Sequence, residues 1–524
     1  MATRAAGPIL VFVLALSAGS SLRWRVVHDA PVLMFVSRCV DSLGLVPYRD
    51  VFDMNPPGAM LAYIPVARVA ASCDLCFRLI DLGCLAVILV FIATAMKPFG
   101  RSPAITAPAL FGLAYLGFGE NQSLQRDFLA ILPIAFALAV ALRDEPDSRE
   151  VLPGGRAFLI GLAIGAACLF KPNCLIAAPV LLAPVLASGF RNRARWWARF
   201  TKLSGLALAG FVVLPVLSAL YLWRVGGLRA FVGIVRNYWP LYAELDGLGR
   251  RIAGEHAGME RLMAGFGPPA RVWPWFLLAL LGGIVALRGG LLSSPLRLRF
   301  RTLVALVPAF WIYVVVAGKF WKYHWFPAIL AACLLASLAT LEPRDEERVG
   351  WVRFRVIALL LPAIVLGLPA DLRAGGLAMA PLEPVKGGRV AFVETFLRSN
   401  LRPGDRVQAL DVTEGVLHGM LRAGATPATR FVYDFHFYHH VSNPYIQGLR
   451  REFVEQLEKK SPRFVVQIPS LPSGAGWSPS GEDCGGGFPE LEKILSERYR
   501  EVSRFEDVHI FEKRPPLPAE TGKS

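Results

Sequence analysis

The sequence contains few charged residues and few cysteines for its length. Charged side chains make up 18% of the 524 residues and hydrophobic ones 54%, and the mean hydropathy is +0.46. This composition argues against a soluble globular protein and indicates a chain that lies largely in a bilayer. Eight cysteines are too few for a small disulfide scaffold, and an aromatic content of 11% excludes a disordered chain.

Acidic residues are also scarce, with 40 Asp and Glu against 56 Lys and Arg and a formal charge of +16. Residues 371–524 carry 20 basic and 20 acidic residues, so the whole excess lies in residues 1–370. Loops that we predict to be cytoplasmic hold 19 basic residues, as the positive-inside rule expects. The charge therefore indicates membrane topology, and we expect no nucleic-acid partner.

Apolar stretches long enough, or nearly so, to cross a bilayer recur throughout residues 1–370. Eleven are predicted, at 7–22, 77–96, 103–118, 128–142, 157–170, 173–188, 204–222, 272–287, 302–317, 326–341 and 356–370. With a cytoplasmic N-terminus, this odd number places the C-terminal region outside the cytoplasm. Two predicted outer loops are long, 23–76 and 223–271, and the apolar stretch 57–71 is predicted to be a helix at the outer interface.

The first apolar stretch allows two interpretations, a cleaved signal peptide or an uncleaved first span. We expect the uncleaved span, which would anchor the first outer loop. Residue 23 lies outside the cytoplasm in either case.

Residues 371–524 have a different pattern, which predicts a soluble α/β domain. Helices are expected at 388–400 and 448–460, strands at 406–410, 463–468 and 502–511, and a loop at 469–487. Cys73 and Cys76 form a single C-x-x-C, which predicts a local disulfide or simple packing rather than zinc.

Ionisable residues collect at span ends on the predicted outer face, where a charge is costly unless it is paired or hydrated. The candidates are His28, Asp29, Arg49, Asp50, Asp53, Glu120, Arg126, Asp127, Lys171, Lys322, Tyr323 and His324, with Pro56 and Pro57 shaping the first outer loop. Each alone is more often an interfacial anchor. Together they suit substitution at a carbon whose leaving group is a phosphate: an Asp takes the acceptor proton, and Lys, Arg or a divalent metal neutralises the phosphate.

Three histidines near the C-terminal end, His436, His439 and His440, are a second candidate cluster. They allow two interpretations, ligands of a metal or part of a partly exposed aromatic loop. The aromatic neighbours favour the loop.

Four motifs resemble, in order and spacing, the GT-C superfamily of integral membrane glycosyltransferases. They are V-P-Y-R-D-V-F-D-M-N-P-P-G at 46–58, R-D at 126–127, F-K-P at 170–172 and K-Y-H-x-x-P at 322–327. The resemblance covers residues 20–340 and is closest to bacterial relatives of the protein O-mannosyltransferases and of the lipid A aminoarabinose transferase, glycosyltransferase families 39 and 83. The tail after residue 371 resembles the periplasmic domain of such proteins less specifically.

The resemblance implies catalytic roles for three carboxylates and a phosphate-binding role for several other side chains. Asp29 matches the family's first-loop acidic residue, the usual candidate for the base or for a group that orients the acceptor. Asp53 matches an acidic residue that helps bind a metal in some members, and Asp127 matches the acidic residue after the third span. The implied phosphate contacts are Lys171, Lys322, Tyr323 and His324. Relatives commonly have Lys before the Pro-Pro pair, where this chain has Asn55, and Arg49 is the expected substitute.

These observations predict a multi-pass protein of the bacterial inner membrane with about eleven spans and a periplasmic α/β domain, 371–524, after a membrane domain, 1–370. The predicted activity is transfer of a hexose or pentose from a polyprenyl-phosphate donor to a hydroxyl of a glycan, glycolipid or protein. Mg, Mn or Zn is a possible cofactor. The alternatives are a lipid-linked sugar flippase or transporter and a non-catalytic GT-C scaffold.

Overall fold

The structure is a computed structural model that describes residues 2–143, 153–187, 196–252, 257–267, 269–288, 294–342, 349–369, 385–469, 483–484 and 487–515. The predicted domain boundary at 370/371, most of the predicted loop 469–487 and parts of four predicted inner loops lie outside the described residues. The described part is mainly helical and carries one four-stranded sheet near its C-terminal end.

The described residues before position 370 form fifteen α-helices. They are α1 (Ala2–Ser21), α2 (Asp29–Asp41), α3 (Pro57–Ala70), α4 (Asp74–Met96), α5 (Arg101–Gly117), α6 (Arg126–Leu142), α7 (Pro153–Phe170), α8 (Ala178–Ala187), α9 (Trp196–Val225), α10 (Leu228–Ala243), α11 (Ala257–Gly265), α12 (Trp273–Leu287), α13 (Ser294–Ala317), α14 (Phe326–Ser337) and α15 (Val349–Gly367). Short 3₁₀ turns precede α8 and α14, at Pro172–Ala177 and Lys322–Trp325.

Seven described helices are long and apolar enough to cross a membrane. They are Thr3–Ser21, Asp74–Phe99, Pro153–Phe170, Trp196–Val225, Leu296–Ala317, Lys322–Thr340 and Val349–Gly367. The other four predicted spans coincide with shorter helices, Arg101–Gly117, Arg126–Leu142, Pro172–Ala187 and Trp273–Leu287. The predicted polytopic helical fold is therefore confirmed.

The predicted helix of the first outer loop is α3. Pro57 occupies its first turn, where the missing N–H leaves no helical hydrogen bond unmade. Its 14 residues span roughly 21 Å at 1.5 Å per residue, less than a bilayer core. A Cβ on Gly58 would come within 2.6 Å of the Leu169 carbonyl oxygen, so α3 packs directly on the end of α7, next to Lys171.

Helices α7 and α9 pack closely because glycines lie between them. A Cβ on Gly161 or Gly165 of α7, or on Gly210 of α9, would overlap a carbonyl oxygen of the other helix. Small residues let helix backbones approach where no side chain intervenes. Helix α14 is buried along its length and contacts α5, α12 and α13, so it forms the centre of the bundle.

The C-terminal region contains a mixed sheet with the strand order β1-β2-β4-β3. The strands are β1 (Val407–Leu410), β2 (Phe464–Gln467), β3 (Tyr499–Phe505) and β4 (Val508–Lys513), and the helices are α16 (Val385–Asn400), α17 (Val416–Arg422), α18 (Pro444–Lys460) and α19 (Pro489–Arg498). Strands β1 and β2 are parallel, and the remaining pairs are antiparallel. The predicted α/β composition is confirmed.

One predicted strand of this region, 502–511, is wrong. Its residues belong to two antiparallel strands, β3 and β4, joined at Glu506 and Asp507. Glu506 adopts a left-handed φ of 52°, which reverses the chain between two stretches that both have strand character. The sequence pattern of residues 502–511 is that of one continuous strand, so it does not predict this tight turn.

The C-terminal region packs on the first outer loop. The amide nitrogen of Phe52 donates to the Arg430 carbonyl at 2.8 Å, and Arg38 of α2 donates to the Ala425 carbonyl at 2.8 Å. Arg422 forms a 2.8 Å ion pair with Asp74 at the start of α4. Both segments therefore lie on one side of the helical bundle, as the odd number of predicted spans requires.

Candidate active site

A cavity of about 670 Å³ lies between the helical bundle and the C-terminal region. Its walls come from the first outer loop, the α5–α6 connection, the second outer loop, the turn before α14 and the loops that follow β1 and precede α18. This volume is within the usual range for small-molecule sites. The cavity is the candidate active site.

Asp29 begins α2 and lines the cavity, with its carboxylate 2.9 Å from Nδ1 of His28. Burial alone would raise the pKa of Asp29, but His28 and the positive charge of Arg126 outweigh it and hold the pKa at about 2. The carboxylate is therefore ionised at neutral pH. His28 has φ 62° and ψ −127°, a strained backbone conformation of the kind that clusters at functional sites.

Arg126 begins α6 and reaches the cavity beside Asn55. Its guanidinium donates a hydrogen bond to the side-chain oxygen of Asn55. The structure thus places Arg126, not Arg49, beside the position where GT-C relatives commonly have Lys. The Nε of Arg126 is buried and has no hydrogen-bond partner in the described part of the chain, which is uncommon for a polar atom.

Asp53 lies behind Asn55 and is 2% exposed. It accepts hydrogen bonds from the Asn55 side chain at 2.7 Å and from the Tyr433 hydroxyl at 3.0 Å. Burial raises the pKa of Asp53, and the hydrogen bonds from Asn55 and Tyr433 offset this only in part. Asp53 does not line the cavity, so its position suits orienting Asn55 better than contacting substrate.

Asp127 and Lys171 form a buried ion pair of 3.1 Å. The Asp127 carboxylate also accepts from the Tyr313 hydroxyl, and the Lys171 ammonium lies 3.4 Å from Nε2 of His324. The structure therefore brings together three predicted site residues, Asp127, Lys171 and His324. They lie outside the cavity lining, and Lys171 approaches it across the ring of Tyr323, 5.9 Å from the ring centre.

Lys322 and Tyr323 line the cavity directly, as does Trp321. The Tyr323 hydroxyl is buried and has no hydrogen-bond partner among the described residues. Arg126 and Tyr323, two residues of the cavity lining, therefore each have a buried donor without a partner among the described residues. Two such donors favour a ligand with several acceptor oxygens.

The remaining predicted site residues lie away from the cavity lining. Arg49 and Asp50 form a surface ion pair of 2.8 Å, and Glu120 accepts from the Arg25 amide at 3.4 Å. Pro56 and Pro57 lie at the start of α3, buried beneath the loop that carries Asn55.

No protein-family model and no curated protein sequence matches the chain. Among solved structures, ArnT from Cupriavidus metallidurans bound to undecaprenyl phosphate is similar, with a TM-score of 0.55 and 14% sequence identity. The similarity covers 96% of this chain and 97% of that chain. The chain has the fold of ArnT. The resemblance predicted from the four motifs is thereby confirmed at the level of the fold.

Within this fold, a buried ion pair in α4 supports the α5–α6 connection. Arg78 and Asp81 pair at 1% and 0% side-chain exposure. Arg78 donates to the Ser123 hydroxyl at 3.0 Å, and Asp81 accepts from the Leu124 amide at 3.0 Å, just before Arg126. Sequence reasoning passed over this pair, although an Arg and an Asp three residues apart within an apolar span were a usable signal.

Lys319 fastens the second outer loop to the turn before α14. It donates hydrogen bonds to the carbonyl oxygens of Tyr242, at 2.7 Å, and Leu245. Burial lowers the pKa of Lys319 to about 7. The indole nitrogen of Trp321 donates to the Gly247 carbonyl at 2.8 Å, so three hydrogen bonds hold this wall of the cavity.

The expectation of a partly exposed aromatic loop at His436, His439 and His440 is wrong, because all three are buried. His439 lies 3.0 Å from the Tyr238 hydroxyl and His440 lies 3.0 Å from Glu244, both in the second outer loop. That loop covers the histidines, which local sequence does not reveal. Among the described residues, no three or more His, Cys, Asp or Glu side chains are arranged so that they could hold a metal ion.

Proposed function

We propose that this chain is a membrane glycosyltransferase that moves a sugar from a polyprenyl-phosphate donor to an acceptor hydroxyl. The observation that carries the proposal is that Arg126 and Tyr323 line one cavity with Asp29, and that Nε of Arg126 and the Tyr323 hydroxyl have no hydrogen-bond partner among the described residues. Cationic and hydroxyl donors suit a phosphate, and a carboxylate suits a proton acceptor. The solved neighbour with this fold, ArnT, is bound to undecaprenyl phosphate.

The proposed reaction is a single displacement at the anomeric carbon. The acceptor oxygen forms a bond to that carbon while the bond to the phosphate oxygen breaks, and polyprenyl phosphate leaves with the electron pair. The hydroxyl proton passes to Asp29. Arg126, Lys322 and Tyr323 stabilise the departing phosphate, and a single displacement inverts the anomeric configuration.

Pairing around the cavity supports these assignments. Asp29 is ionised at neutral pH and therefore able to accept a proton. The ion pair of Asp127 with Lys171 lies behind Tyr323, outside the cavity lining. It places a paired negative and positive charge next to the Tyr323 ring.

A divalent metal is not needed for this proposal. The implied ligand Asp53 has no second carboxylate or histidine grouped with it as a metal site among the described residues, and one of its oxygens is already engaged by Asn55 and Tyr433. Mg²⁺ or Zn²⁺ requires a fuller ligand set than one carboxylate. These residues do not fit a resident metal, and no step is assigned to one.

We further propose that the protein lies in a bacterial inner membrane with the cavity and the C-terminal region on the periplasmic side. Lys and Arg in the predicted inner loops support this orientation. The acceptor would then be an extracytoplasmic glycan, glycolipid or protein.

The test is transfer by the purified full-length protein in detergent, with a panel of radiolabelled polyprenyl-phosphate sugars and a membrane extract as the acceptor source. We expect labelled product and released polyprenyl phosphate from at least one donor. Asp29→Asn should lower the rate by about 100-fold or more while donor binding persists, because it removes the base and keeps the shape.

Asp41→Asn is the matched control, since Asp41 ends the same helix and pairs with Arg68 at its surface. It should leave transfer unchanged. Full activity of a correctly folded Asp29→Asn protein would remove the base assignment. Tight donor binding by the wild type without any product would instead indicate a transporter or a scaffold.

A further inference from the structure

We propose that the C-terminal wall of the cavity is a subsite for an uncharged, hydroxylated sugar ring of the acceptor, with Asp434 as its hydrogen-bonding group. The inference rests on the proposed glycosyltransferase function and deepens it. It names the acceptor class of the same site, a neutral carbohydrate, and assigns its recognition to the C-terminal region.

Asp434 is the acidic residue of this wall whose carboxyl group pairs with no other described residue. Its residue is 8% exposed, and it lines the cavity. Its carboxyl group accepts a hydrogen bond from its own backbone amide, and the described residues supply no other hydrogen bond or ion pair to it. A buried carboxyl group that faces a cavity and has no partner beyond its own backbone is expected to meet a ligand group.

The neighbouring acids on this wall are already engaged. Asp411 accepts hydrogen bonds from four backbone amides at the start of α17, at 2.6 to 3.1 Å. Glu414 forms a 3.0 Å ion pair with Arg389. We therefore assign ligand recognition on this wall to Asp434. Asp411 affects Asp434 only through its negative charge.

Charge selects the ligand class. Burial, followed by the nearby negative charge of Asp411, raises the pKa of Asp434 to about 7. A second anion such as a phosphate would be repelled there, whereas a sugar hydroxyl can both donate to and accept from this carboxyl group. The cationic wall at Arg126 and Lys322 remains for the donor phosphate.

Aromatic rings beside Asp434 suit the apolar face of a sugar ring. Tyr433 and Phe435 lie with their ring planes 6° apart and their centres 5.5 Å apart, and Tyr438 completes this part of the lining. Such rings offer large contact area with polar hydroxyl tips. The cavity volume of about 670 Å³ also leaves room for an acceptor ring beside a donor sugar.

The experiment uses the full-length protein in lipid nanodiscs. The donor is a polyprenyl-phosphate sugar that the wild-type protein has been found to consume. The acceptor probes are mannotriose, maltotriose and their phosphate monoesters, and KM for donor and for acceptor is measured separately. Asp434→Ala should raise the acceptor KM about tenfold or more and leave the donor KM within about twofold, because a buried hydrogen-bonding group is lost from one subsite only. Asp434→Asn, which keeps the shape, should have a smaller effect in the same direction.

Asp405→Asn is the matched control, because Asp405 belongs to the same region and pairs with Arg463 outside the cavity. Donor binding and donor cleavage by the wild type are measured first, and their absence would overturn the proposed function itself. If the donor is consumed, preference for the phosphate monoesters, failure of the neutral sugars to accelerate turnover, or an Asp434→Ala effect on the donor KM alone would overturn the subsite only.

Discussion

The Tyr433 hydroxyl donates a 3.0 Å hydrogen bond to the carboxylate of Asp53, across 380 residues of sequence. Asp53 in turn holds the side chain of Asn55, which receives a hydrogen bond from Arg126. The C-terminal region therefore takes part in setting the position of the cation at the cavity wall. It is a component of the site and not merely a cover.

Replacing Tyr433 by Phe tests this relationship. The change leaves a buried carboxylate oxygen with one partner fewer, so we expect a loss of about 1–3 kcal/mol in stability and a several-fold fall in the transfer rate. Tyr445→Phe is the control, because Tyr445 lies at the start of α18 away from the cavity lining. Thermal unfolding and turnover of both variants provide the measurement, and equal behaviour of the two would contradict the role of the Tyr433 hydroxyl.

The proposed contact between Arg126 and the donor phosphate is tested by comparing the variants Arg126→Gln and Arg49→Gln. Arg126 lines the cavity beside Asn55, whereas Arg49 pairs with Asp50 at the surface. We expect Arg126→Gln to weaken binding of undecaprenyl phosphate by about tenfold or more, since charge-assisted hydrogen bonds are the strong ones. Arg49→Gln should bind as the wild type does. A reversed order in a titration of the two variants would restore Arg49 as the phosphate contact.

Stability should depend on pH through Asp434. The pKa of Asp434 is about 7 in the folded protein and 3.8 for an unperturbed Asp, as in the unfolded chain. Between about pH 4 and pH 7, the folded chain therefore keeps a proton that the unfolded chain has lost. Raising the pH through this window therefore destabilises the fold, by up to about 4 kcal/mol from this group. Asp434→Asn lacks the effect, so its unfolding midpoint should exceed that of the wild type more at pH 8 than at pH 5. A constant difference across this range would show that Asp434 does not titrate there.

The second outer loop should be sensitive to a single methyl group at Gly247. A Cβ there would overlap the Lys319 carbonyl oxygen and press on the Trp321 indole, whereas a Cβ on Gly233, in α10, meets no atom within 4 Å. We expect Gly247→Ala to destabilise the protein by about 1–3 kcal/mol and to reduce transfer. Gly233→Ala should be neutral or slightly stabilising, because Ala favours a helix. Indistinguishable unfolding midpoints for the two variants would refute the close contact at Gly247.

Part of the candidate site follows from sequence because its elements are local. The motifs at 46–58, 126–127 and 322–324 lie at helix ends that the apolar pattern predicts, and Asp29, Arg126, Lys322 and Tyr323 do line one cavity. The ion pair of Asp127 with Lys171 joins the motif at 126–127 to the F-K-P motif at 170–172. The sequence pattern does not predict which of these side chains face the cavity. Asp53, for example, lies behind the cavity lining.

The amino-acid sequence by itself determined the helical membrane fold and the mixed C-terminal region, because bilayer-length apolar runs and strand and helix periods are local properties of the chain. Only the tertiary structure decided that Arg126 and not Arg49 meets Asn55, that the second outer loop buries His436 and its neighbours, and that Asp434 faces the cavity. Each of these depends on contacts between segments far apart in sequence. Such contacts are fixed by how the helices and loops pack together, which no local pattern records.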